Sequence, residues 1–299
     1  MKHVVGISLG SSSRDHTVII NLLGQEYKVE RLGTDGDMQA MIGKIKELDG
    51  KVDAFGLGGM DLYLYAVDRR YEIRDARRVV RAAQKTPIVD GSGLKNTLER
   101  RAIDYLAEHT GLFIKPQKVL LMSAMDRLGM AQALEKAGCV MTYGDFPFIL
   151  KLPFPIHNLH KLALAARVVA PIVCRLPFSM LYPTGDKQTE SKPRYPKYFY
   201  EADVVAGDFH FIRRYMPPKL PGKIIITNTV TRDDIDFLKK SGARALITTT
   251  PEMSGRSFGT NVIEALLVCM AGSDKELAKE EYCRLLDDLE LIPRIVALN

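Results

Sequence analysis

Two loops of the sequence bring together side chains suited to binding and deprotonating a small hydroxylated molecule. The segment Gly10–His16 holds three serines followed by Arg, Asp and His, a set that fits a polyhydroxylated or carboxylated ligand. The segment Gly207–Arg214 holds Asp208 and His210 directly after an apolar run, with two arginines behind them. A histidine near a carboxylate is a common general acid–base group. The alternative interpretations are a serine-rich turn and a structural histidine.

Two further loops open predicted helices. The segment Asp90–Thr97 places Lys95 and Asn96 in the first turn of a helix. A lysine is electrostatically unfavourable at a helix N-terminus, so this pattern favours a functional cation over a chance placement. The segment Thr248–Asn261 is rich in Gly, Ser and Thr, includes Thr250, and leads to another predicted helix. Such a loop is typical of an anion- or cofactor-binding lip, and a plain connection is the alternative.

A βαβ pattern lies at the centre of the chain. Lys118–Met122 is a short apolar run, typical of a strand buried on both faces of a parallel sheet. A polar loop begins at Ser123, and apolar residues then recur at helical spacing until Gly138, which is typical of a helix C-cap. A second apolar run, Cys139–Tyr143, is followed by Asp145. Strand, tight loop, helix, strand and acid are the outline of a dinucleotide-binding unit.

The loop of this unit departs from the glycine fingerprint G-x-G-x-x-G, because Ala124 and Asp126 replace the first two glycines and only Gly129 remains. The Asp126 carboxylate is a good helix cap but repels a phosphate at the same place. Arg127 could compensate as a side-chain phosphate ligand, and Asp145 stands where an acid usually binds a ribose hydroxyl. We therefore expect this loop to bind a nucleoside-bearing cofactor, either NAD or S-adenosylmethionine. An ordinary βαβ unit capped by Asp126 is the alternative.

Composition limits the class of protein. The chain of 299 residues is 46% hydrophobic and 26% charged, with a formal net charge of +6. It has no apolar run of the roughly 18 residues that span a bilayer, and its start lacks a signal-peptide pattern, so we expect a cytoplasmic protein without membrane contact. Its four cysteines show no C-x-x-C pairing, so they are interpreted as reduced thiols, and no metal site is predicted.

Part of the basic excess lies in the segment Arg69–Arg81. A basic helix face can bind nucleic acid, but neither interleaved aromatic residues nor a DNA-reading motif accompanies this one. A solvated face, or a positive field that attracts an anionic small molecule, is the preferred interpretation. We therefore predict an anionic small-molecule substrate and no nucleic-acid partner. A homodimer is the expected alternative to a monomer.

Alternating strand and helix patterns predict an α/β fold with more than one domain. The predicted parts are an N-terminal α/β substrate domain over residues 1–114, a Rossmann-like doubly wound parallel-sheet domain over 115–270, and a C-terminal helix over 271–299. That last helix is expected to pack back on the first domain.

Local patterns predict individual elements within these parts. Apolar alternation around Gly24 predicts a hairpin with strands at 17–23 and 26–32. A basic amphipathic helix is predicted at 73–83, and an exposed loop at the proline-rich stretch 183–200.

The order of these parts resembles the shikimate/quinate dehydrogenase family, including bacterial quinate dehydrogenase-like proteins. That family has a serine-x-serine substrate motif with a histidine soon after it, to which Ser11, Ser13 and His16 are similar. It also has an asparagine-threonine-aspartate element before its Rossmann domain. Asn96 and the threonine after it match this element, with leucine in place of the aspartate.

The resemblance implies NAD- or NADP-linked oxidation of a cyclic polyhydroxy acid such as quinate or shikimate. The substrate-binding residues that it implies are Ser11, Ser13, His16 and Asn96. Lys95 or His210 would take the hydroxyl proton, with Asp208 as the next candidate. Two alternatives stay open: a Rossmann-fold methyltransferase that uses S-adenosylmethionine, and a non-catalytic small-molecule-binding protein.

Overall fold

The computed structural model describes residues 1–66, 69–175, 191–250, 252–253 and 256–299. Within these ranges two main β-sheets are flanked by helices, which confirms the predicted α/β fold class. In each of the two sheets, antiparallel pairing is confined to one edge strand and the other strand pairs are parallel. The carboxyl ends of the parallel strands in each sheet therefore lie on a common edge.

The strands follow one another along the whole chain. In chain order they are β1 (Lys2–Ser8), β2 (His16–Leu22), β3 (Gln25–Gly33), β4 (Ala54–Gly58), β5 (Tyr63–Ala66), β6 (Arg69–Glu72), β7 (Ile88–Val89), β8 (Lys118–Leu121), β9 (Val140–Tyr143), β10 (Val204–Ala206), β11 (Ile224–Thr227), β12 (Ala245–Thr248), β13 (Glu252–Met253), β14 (Arg256–Ser257) and β15 (Arg294–Ala297). β5 pairs with β6, and β13 with β14, as small separate hairpins.

The α-helices alternate with these strands. In chain order they are α1 (Met38–Leu48), α2 (Ala76–Val80), α3 (Ser92–His109), α4 (Leu128–Lys136), α5 (Leu159–Val173), α6 (Pro196–Glu201), α7 (Phe209–Tyr215), α8 (Arg232–Ser241), α9 (Thr260–Ala271) and α10 (Lys279–Asp288). Among the described residues, none of the helices combines the length and the apolar character needed to cross a membrane.

The first sheet has the strand order β2-β3-β1-β4-β7. β2 and β3 form the predicted hairpin, in which Leu22 lies opposite Gln25. The two residues between them, Leu23 and Gly24, both have positive φ angles, as the favoured two-residue hairpin loop requires.

The second sheet has the strand order β15-β12-β11-β10-β8-β9. β11 is buried along its whole length, because helices cover the sheet on both faces and exclude water from its apolar residues. The predicted βαβ unit is present as β8, α4 and β9, with β8 and β9 parallel.

Helix α9 packs on the first sheet although the chain reaches it from the second. Its residue Val262 belongs to the same apolar core as Val4 and Ala54, and α10 contributes Tyr282 to that core. The chain then returns to the second sheet, because β15 pairs with β12. The crossing therefore begins at Thr260, before the predicted boundary at residue 270, and the last strand was not expected. The domain boundaries themselves stay a prediction.

Three local expectations need correction. Gly207–Arg214, expected as a loop, contains α7, because the Asp208 side chain accepts a hydrogen bond from the backbone of His210 and starts a helix. The basic helix expected at 73–83 is limited to α2. The loop expected at 183–200 includes α6, which begins at Pro196, a residue suited to a first helical turn. Its residues 183–190 lie outside the described part of the chain.

Candidate functional site

A cleft of about 230 Å³ lies where the carboxyl ends of the strands of both sheets face each other. From the first sheet it is lined by the segments after β1, β4 and β7, and from the second by those after β8, β10 and β11. The first turn of α9 forms another part of the wall. Ligands of open α/β sheets usually bind at this edge, where loops of free sequence follow the strands.

Lys95, in the first turn of α3, lies in the cleft between two carboxylates. Its Nζ is 2.7 Å from Asp126 Oδ1 and 3.3 Å from Asp61 Oδ1. Burial disfavours the ammonium ion, but the two carboxylates outweigh burial and hold the pKa of Lys95 above its ordinary value. Lys95 is therefore a charged hydrogen-bond donor at neutral pH. The predicted role of proton acceptor does not fit this environment.

Arg127 joins the two halves of the protein through carboxylates. Its side chain is 1% exposed, its guanidinium binds Glu99 on α3, and its Nη2 lies 3.3 Å from Asp208 Oδ2. Burial raises the pKa of Glu99, and the charge of Arg127 opposes that shift. Arg127 lines the cleft, but the expected role of phosphate ligand does not fit, because its guanidinium is already bound on two sides.

Asp208 and His210 lie on the second-sheet side of the cleft at the start of α7. Asp208 Oδ1 accepts a hydrogen bond of 2.8 Å from the backbone N of His210. Burial lowers the pKa of His210, so its imidazole is neutral at neutral pH. Its Nε2 lies 3.2 Å from Nη1 of Arg14, which comes from the first-sheet side. Because a guanidinium only donates, Nε2 is the acceptor and the ring proton is on Nδ1.

These groups give the cleft a neutral base, His210, among fixed charges. Burial opposes ionisation of Asp208, but the charge that His210 carries when protonated, the charge of Arg127 and the hydrogen bond from the His210 amide outweigh burial. They hold the pKa of this carboxyl below its ordinary value. Asp208 is therefore ionised beside the histidine. His210 can accept a proton at Nε2 when the bond from Arg14 is released, and the ionised Asp208 stabilises the imidazolium that forms. Lys95 and Arg14 supply donors for oxygen atoms of a ligand.

Of the predicted substrate-binding residues, His16 lines the cleft and the other three do not. Ser11 and Ser13 bond to each other, with their Oγ atoms 2.9 Å apart, and Ser13 is exposed. Asn96 Oδ1 accepts a hydrogen bond of 2.8 Å from the backbone N of Gly129, which fixes α4 on α3. The serine loop turns its hydroxyls toward one another because Ser11 caps the short helical turn that follows it.

Asp145 does not reach the cleft. Its carboxylate accepts hydrogen bonds from the backbone N atoms of Ala124 and Met125, both at 3.0 Å, and the residue is 2% exposed. Burial raises the pKa of Asp145 to about 6, although the two amides favour the ionised form. These loop amides would face the pyrophosphate in a dinucleotide-binding unit. The prediction that Asp145 binds a ribose is wrong, and the S-adenosylmethionine hypothesis loses the acid on which it relied.

The other predicted cofactor residues fall into two groups. Asp126 lines the cleft, whereas Ser123, Gly129 and Thr250 do not. A Cβ on Gly129 would lie 2.3 Å from the backbone O of Asn96, so this glycine allows α4 to pack on α3. The buried Thr250 hydroxyl donates to the backbone O of Asn228.

Sequence reasoning did not select Asp61, Arg14 or Thr260, all of which line the cleft. Their positions in the sequence could have identified them, because Arg14 and Asp61 follow strands of the first sheet and Thr260 lies at the start of a helix. In the described part of the chain, no group of three or more His, Cys, Asp and Glu side chains is arranged to hold a metal ion.

Two family models match different parts of the chain. The model of the domain of unknown function DUF8754 matches residues 93–298, and that of DUF8753 matches residues 3–90. The chain belongs to the DUF8754 family. The DUF8754 match begins in the first turn of α3 and includes the second sheet together with α9 and α10. No curated protein matches the chain.

Solved structures with distant similarity are of several kinds. A Mycobacterium smegmatis protein in complex with beta-D-fucofuranose shares 12% identity, with 100% of both chains covered and a TM-score of 0.33. An ABC transporter solute-binding protein from Agrobacterium vitis, bound to alpha-D-tagatopyranose, shares 10% identity over 99% of this chain and 95% of that one, with a TM-score of 0.37. An NAD-dependent malic enzyme from Thermotoga maritima shares 12% identity over 96% and 84%, with a TM-score of 0.34. Likenesses this distant carry no conclusion about function.

Proposed function

We propose that this protein binds a small hydroxylated anion in the cleft and exchanges a proton with one of its hydroxyl groups. The observation that carries the proposal is the neutral imidazole of His210, placed at the cleft beside ionised Asp208 and facing the guanidinium of Arg14. A neutral base between an acid and a cation is an arrangement typical of acid–base catalysis.

The size of the cleft supports a small ligand. Its volume of about 230 Å³ lies below the roughly 300–1,000 Å³ of pockets that enclose drug-sized molecules. A compact metabolite fits such a space better than a complete dinucleotide does.

The charges of the cleft support an anion. Of the carboxylates that line the cleft, Asp61 and Asp126 are bound by Lys95, and Asp208 is bound by Arg127. Two further arginines, Arg14 and Arg214, line the cleft wall, together with Arg31, which is bound by Asp15. A ligand that enters therefore meets guanidinium groups, which bind carboxylate and phosphate groups with paired hydrogen bonds.

Binding and proton transfer are coupled in this arrangement. An anionic group of the ligand that binds Arg14 replaces His210 as its hydrogen-bond partner. The Nε2 lone pair is then free to accept the proton of a ligand hydroxyl. The product of that step is an alkoxide-like oxygen near the charged Lys95 and an imidazolium stabilised by Asp208.

A dehydrogenase of quinate, shikimate or a similar acid is the more specific form of this hypothesis. Removal of a hydroxyl proton is a part of alcohol oxidation. Of the residues that carry the motif resemblance, His16 lines the cleft and Ser11, Ser13 and Asn96 do not. NAD or NADP would then accept the hydride. The loop before α4 does not fit the pyrophosphate of such a cofactor, because Asp145 binds its amides, so no step is assigned to the cofactor here.

Isothermal titration with quinate, shikimate and related hydroxylated carboxylic acids tests the binding. Arg14→Gln should weaken the bound acid roughly tenfold, as expected for loss of a hydrogen bond to a charged group. Arg284→Gln, at an exposed arginine of α10 outside the cleft, is the matched control and should leave the affinity unchanged. If none of these acids binds, or if both variants behave alike, the proposal is wrong.

Turnover tests the proton transfer. With a binding acid and NAD or NADP, His210→Gln should lower kcat by roughly a hundredfold or more, because the general base is lost. His109→Gln, at an exposed histidine at the end of α3, is its control. Full turnover in the His210 variant would remove this residue from the chemistry. A thermal shift with NAD, NADP and S-adenosylmethionine identifies the cofactor, since a ligand of the native state raises Tm.

A further inference from the structure

The first turn of α9 carries a second feature of the cleft that the acid–base groups do not use. We propose that this turn is an oxyanion anchor, which holds the carboxylate or phosphate group of the ligand with the Thr260 hydroxyl and the amides of Thr260 and Asn261. This inference rests on the proposed function, because the anchor belongs to the same cleft. It assigns the charged end of the ligand to the first-sheet side and the reacting hydroxyl to the second-sheet side.

Glycines bring α9 directly onto the carboxyl edge of the first sheet. A Cβ at Gly56 would lie 2.5 Å from the backbone O of Asn261, and one at Gly91 would lie 2.7 Å from the backbone N of Asn261. A Cβ at Gly6 would lie 2.5 Å from Cγ2 of Val262. Three separate segments of the first part of the chain thus lack side chains where α9 begins. Any side chain there would displace the helix terminus from the cleft wall.

The first turn of α9 has backbone donors left for a ligand. The residue before the helix is Gly259, which has no side chain that could cap it. The amides of Val262 and Ile263 donate to the backbone O of Gly259 at 2.9 and 3.2 Å. For the amides of Thr260 and Asn261 no acceptor is found among the residues that the structure describes. The N-terminus of a helix also carries partial positive charge, which favours an anion.

The Thr260 side chain points independently to a missing partner. Thr260 is 4% exposed and lines the cleft, and within the described ranges its Oγ1 has no hydrogen-bond partner. A buried hydroxyl without a partner is unfavourable, because burial removes the hydrogen bonds that it makes to water. An oxygen of a bound anion would accept its proton. α9 has twelve residues, so its terminus has the field of a full helix.

Two acidic residues lie near this turn, and their carboxyl groups are hydrogen-bonded within the protein. Glu264, in the second turn of α9, is fully buried and its Oε1 accepts a hydrogen bond from the Tyr282 hydroxyl. Burial and the nearby Asp90 raise the pKa of Glu264 to about 8, so it is neutral at neutral pH. Asp90 itself accepts a hydrogen bond of 2.9 Å from the backbone N of Ser92. On the approach to the helix, His16 stacks on Phe258 with ring centroids 5.7 Å apart.

Titration of the protein with inorganic phosphate and with acetate tests this anchor. In the wild type, backbone NMR should show shifts of the Thr260 and Asn261 amides with at least one of the two ions. Acetate alone indicates a carboxylate ligand, and phosphate alone or more strongly indicates a phosphate ester. Shifts of neither amide with either ion would overturn the inference, with no variant needed.

A hydroxyl-specific pair of variants then tests Thr260. Thr260→Val keeps the shape and should weaken the bound ion roughly tenfold, whereas Thr260→Ser keeps the hydroxyl and should restore most of the affinity. An unchanged affinity in Thr260→Val would overturn the role of this residue.

The result can be separated from that of the proposed function. The anchor is judged by the Thr260 and Asn261 amide shifts and by the ion affinity of the Thr260 variants, whereas the acid–base role is judged by turnover in His210→Gln. An intact anchor with full turnover in the His210 variant would overturn only the acid–base role. Loss of ion binding in Arg14→Gln but not in Thr260→Val would place the anion at Arg14 and overturn the anchor.

Discussion

The loop before α4 and the first turn of α9 both place backbone amides at the carboxyl edge of a sheet, but they differ in what binds those amides. Before α4, the carboxylate of Asp145 accepts hydrogen bonds from Ala124 and Met125 at 3.0 Å. At α9, the amides of Thr260 and Asn261 have no acceptor among the described residues, and the cleft lies beside them. The amides before α4 are therefore occupied by a carboxylate of the protein itself, whereas those at the start of α9 are available to a ligand.

This difference shows that a motif for anion binding does not identify the anion. The βαβ pattern predicted a tight loop between β8 and α4 and a strand followed by an acid, and the structure contains these elements. In dinucleotide-binding folds, the acid binds the ribose and the amides bind the pyrophosphate. Here the Asp145 carboxylate accepts hydrogen bonds from the loop amides directly, so the acid and the amides bind each other and not a ligand.

The largest effect is expected for Arg127, whose positive charge compensates the carboxylates of Glu99 and Asp208. Arg127→Leu leaves Glu99, which is fully buried, without the cation that it faces. Breaking a buried ion pair on one side typically lowers the free energy of unfolding by about 3–5 kcal/mol. Urea denaturation measures this loss. Arg101→Leu, which removes an exposed pair with Asp287, is the control and should cost less than about 1 kcal/mol. Similar losses of unfolding free energy in both variants would show that the buried ion pairs of Arg127 contribute no more to stability than an exposed pair does.

Removal of the Asp145 carboxylate tests the difference between the two sites most directly. Asp145→Ala should destabilise the protein by about 1–3 kcal/mol for each of the two amides left without an acceptor. Asp145→Asn keeps one carbonyl oxygen and should lose less. Neither substitution should change the affinity for NAD in a thermal shift, because Asp145 does not line the cleft. A selective loss of NAD affinity in Asp145→Asn would restore the ribose role and remove the contrast between the two sites.

The dependence of the unfolding free energy on pH distinguishes two buried acids, Asp145 at the loop before α4 and Glu264 in α9. The pKa of Glu264 is raised from 4.5 to about 8 and that of Asp145 from 3.8 to about 6. A carboxyl group whose pKa is higher in the folded state makes its full contribution to the free energy of unfolding at pH values below its unfolded-state pKa. This contribution is lost as the pH rises from the unfolded-state pKa to the folded-state pKa.

The free energy of unfolding of the parent protein minus that of Glu264→Gln should therefore fall between about pH 4.5 and 8, by at most about 1.4 kcal/mol per pH unit. For Asp145→Asn the corresponding fall should end near pH 6. Denaturation curves at several pH values measure both differences. Two flat differences would show that these carboxyls are ionised in the folded protein.

The smallest effect is expected at Ser13, which does not line the cleft. Ser13 is exposed and its hydroxyl bonds to that of Ser11. Ser13→Ala should change the free energy of unfolding by no more than about 0.5 kcal/mol, and it should leave phosphate and acetate binding unchanged. A marked loss of ligand affinity in this variant would place the ligand at the serine loop and not at α9.

The sequence by itself determined the features that depend on neighbouring residues. Alternation of apolar runs and helical patterns was sufficient for the α/β class, and Gly24 between two alternating segments was sufficient for the β2–β3 hairpin. The start of α1 is equally local, since the Asp37 side chain accepts hydrogen bonds from the backbone N atoms of Gln39 and Ala40. These features are local because a turn or a cap is complete within a few residues.

The tertiary structure alone decided which distant residues meet. Nothing near Asp145 in the sequence shows that its carboxylate turns to the loop 20 residues earlier, and nothing near Lys95 shows the two aspartates that keep it charged. Likewise, the packing of α9 on the first sheet depends on glycines such as Gly56, about two hundred residues away in the chain. Burial and charge at a site arise from these long-range contacts, and they decide whether a polar residue binds a ligand or another part of the protein.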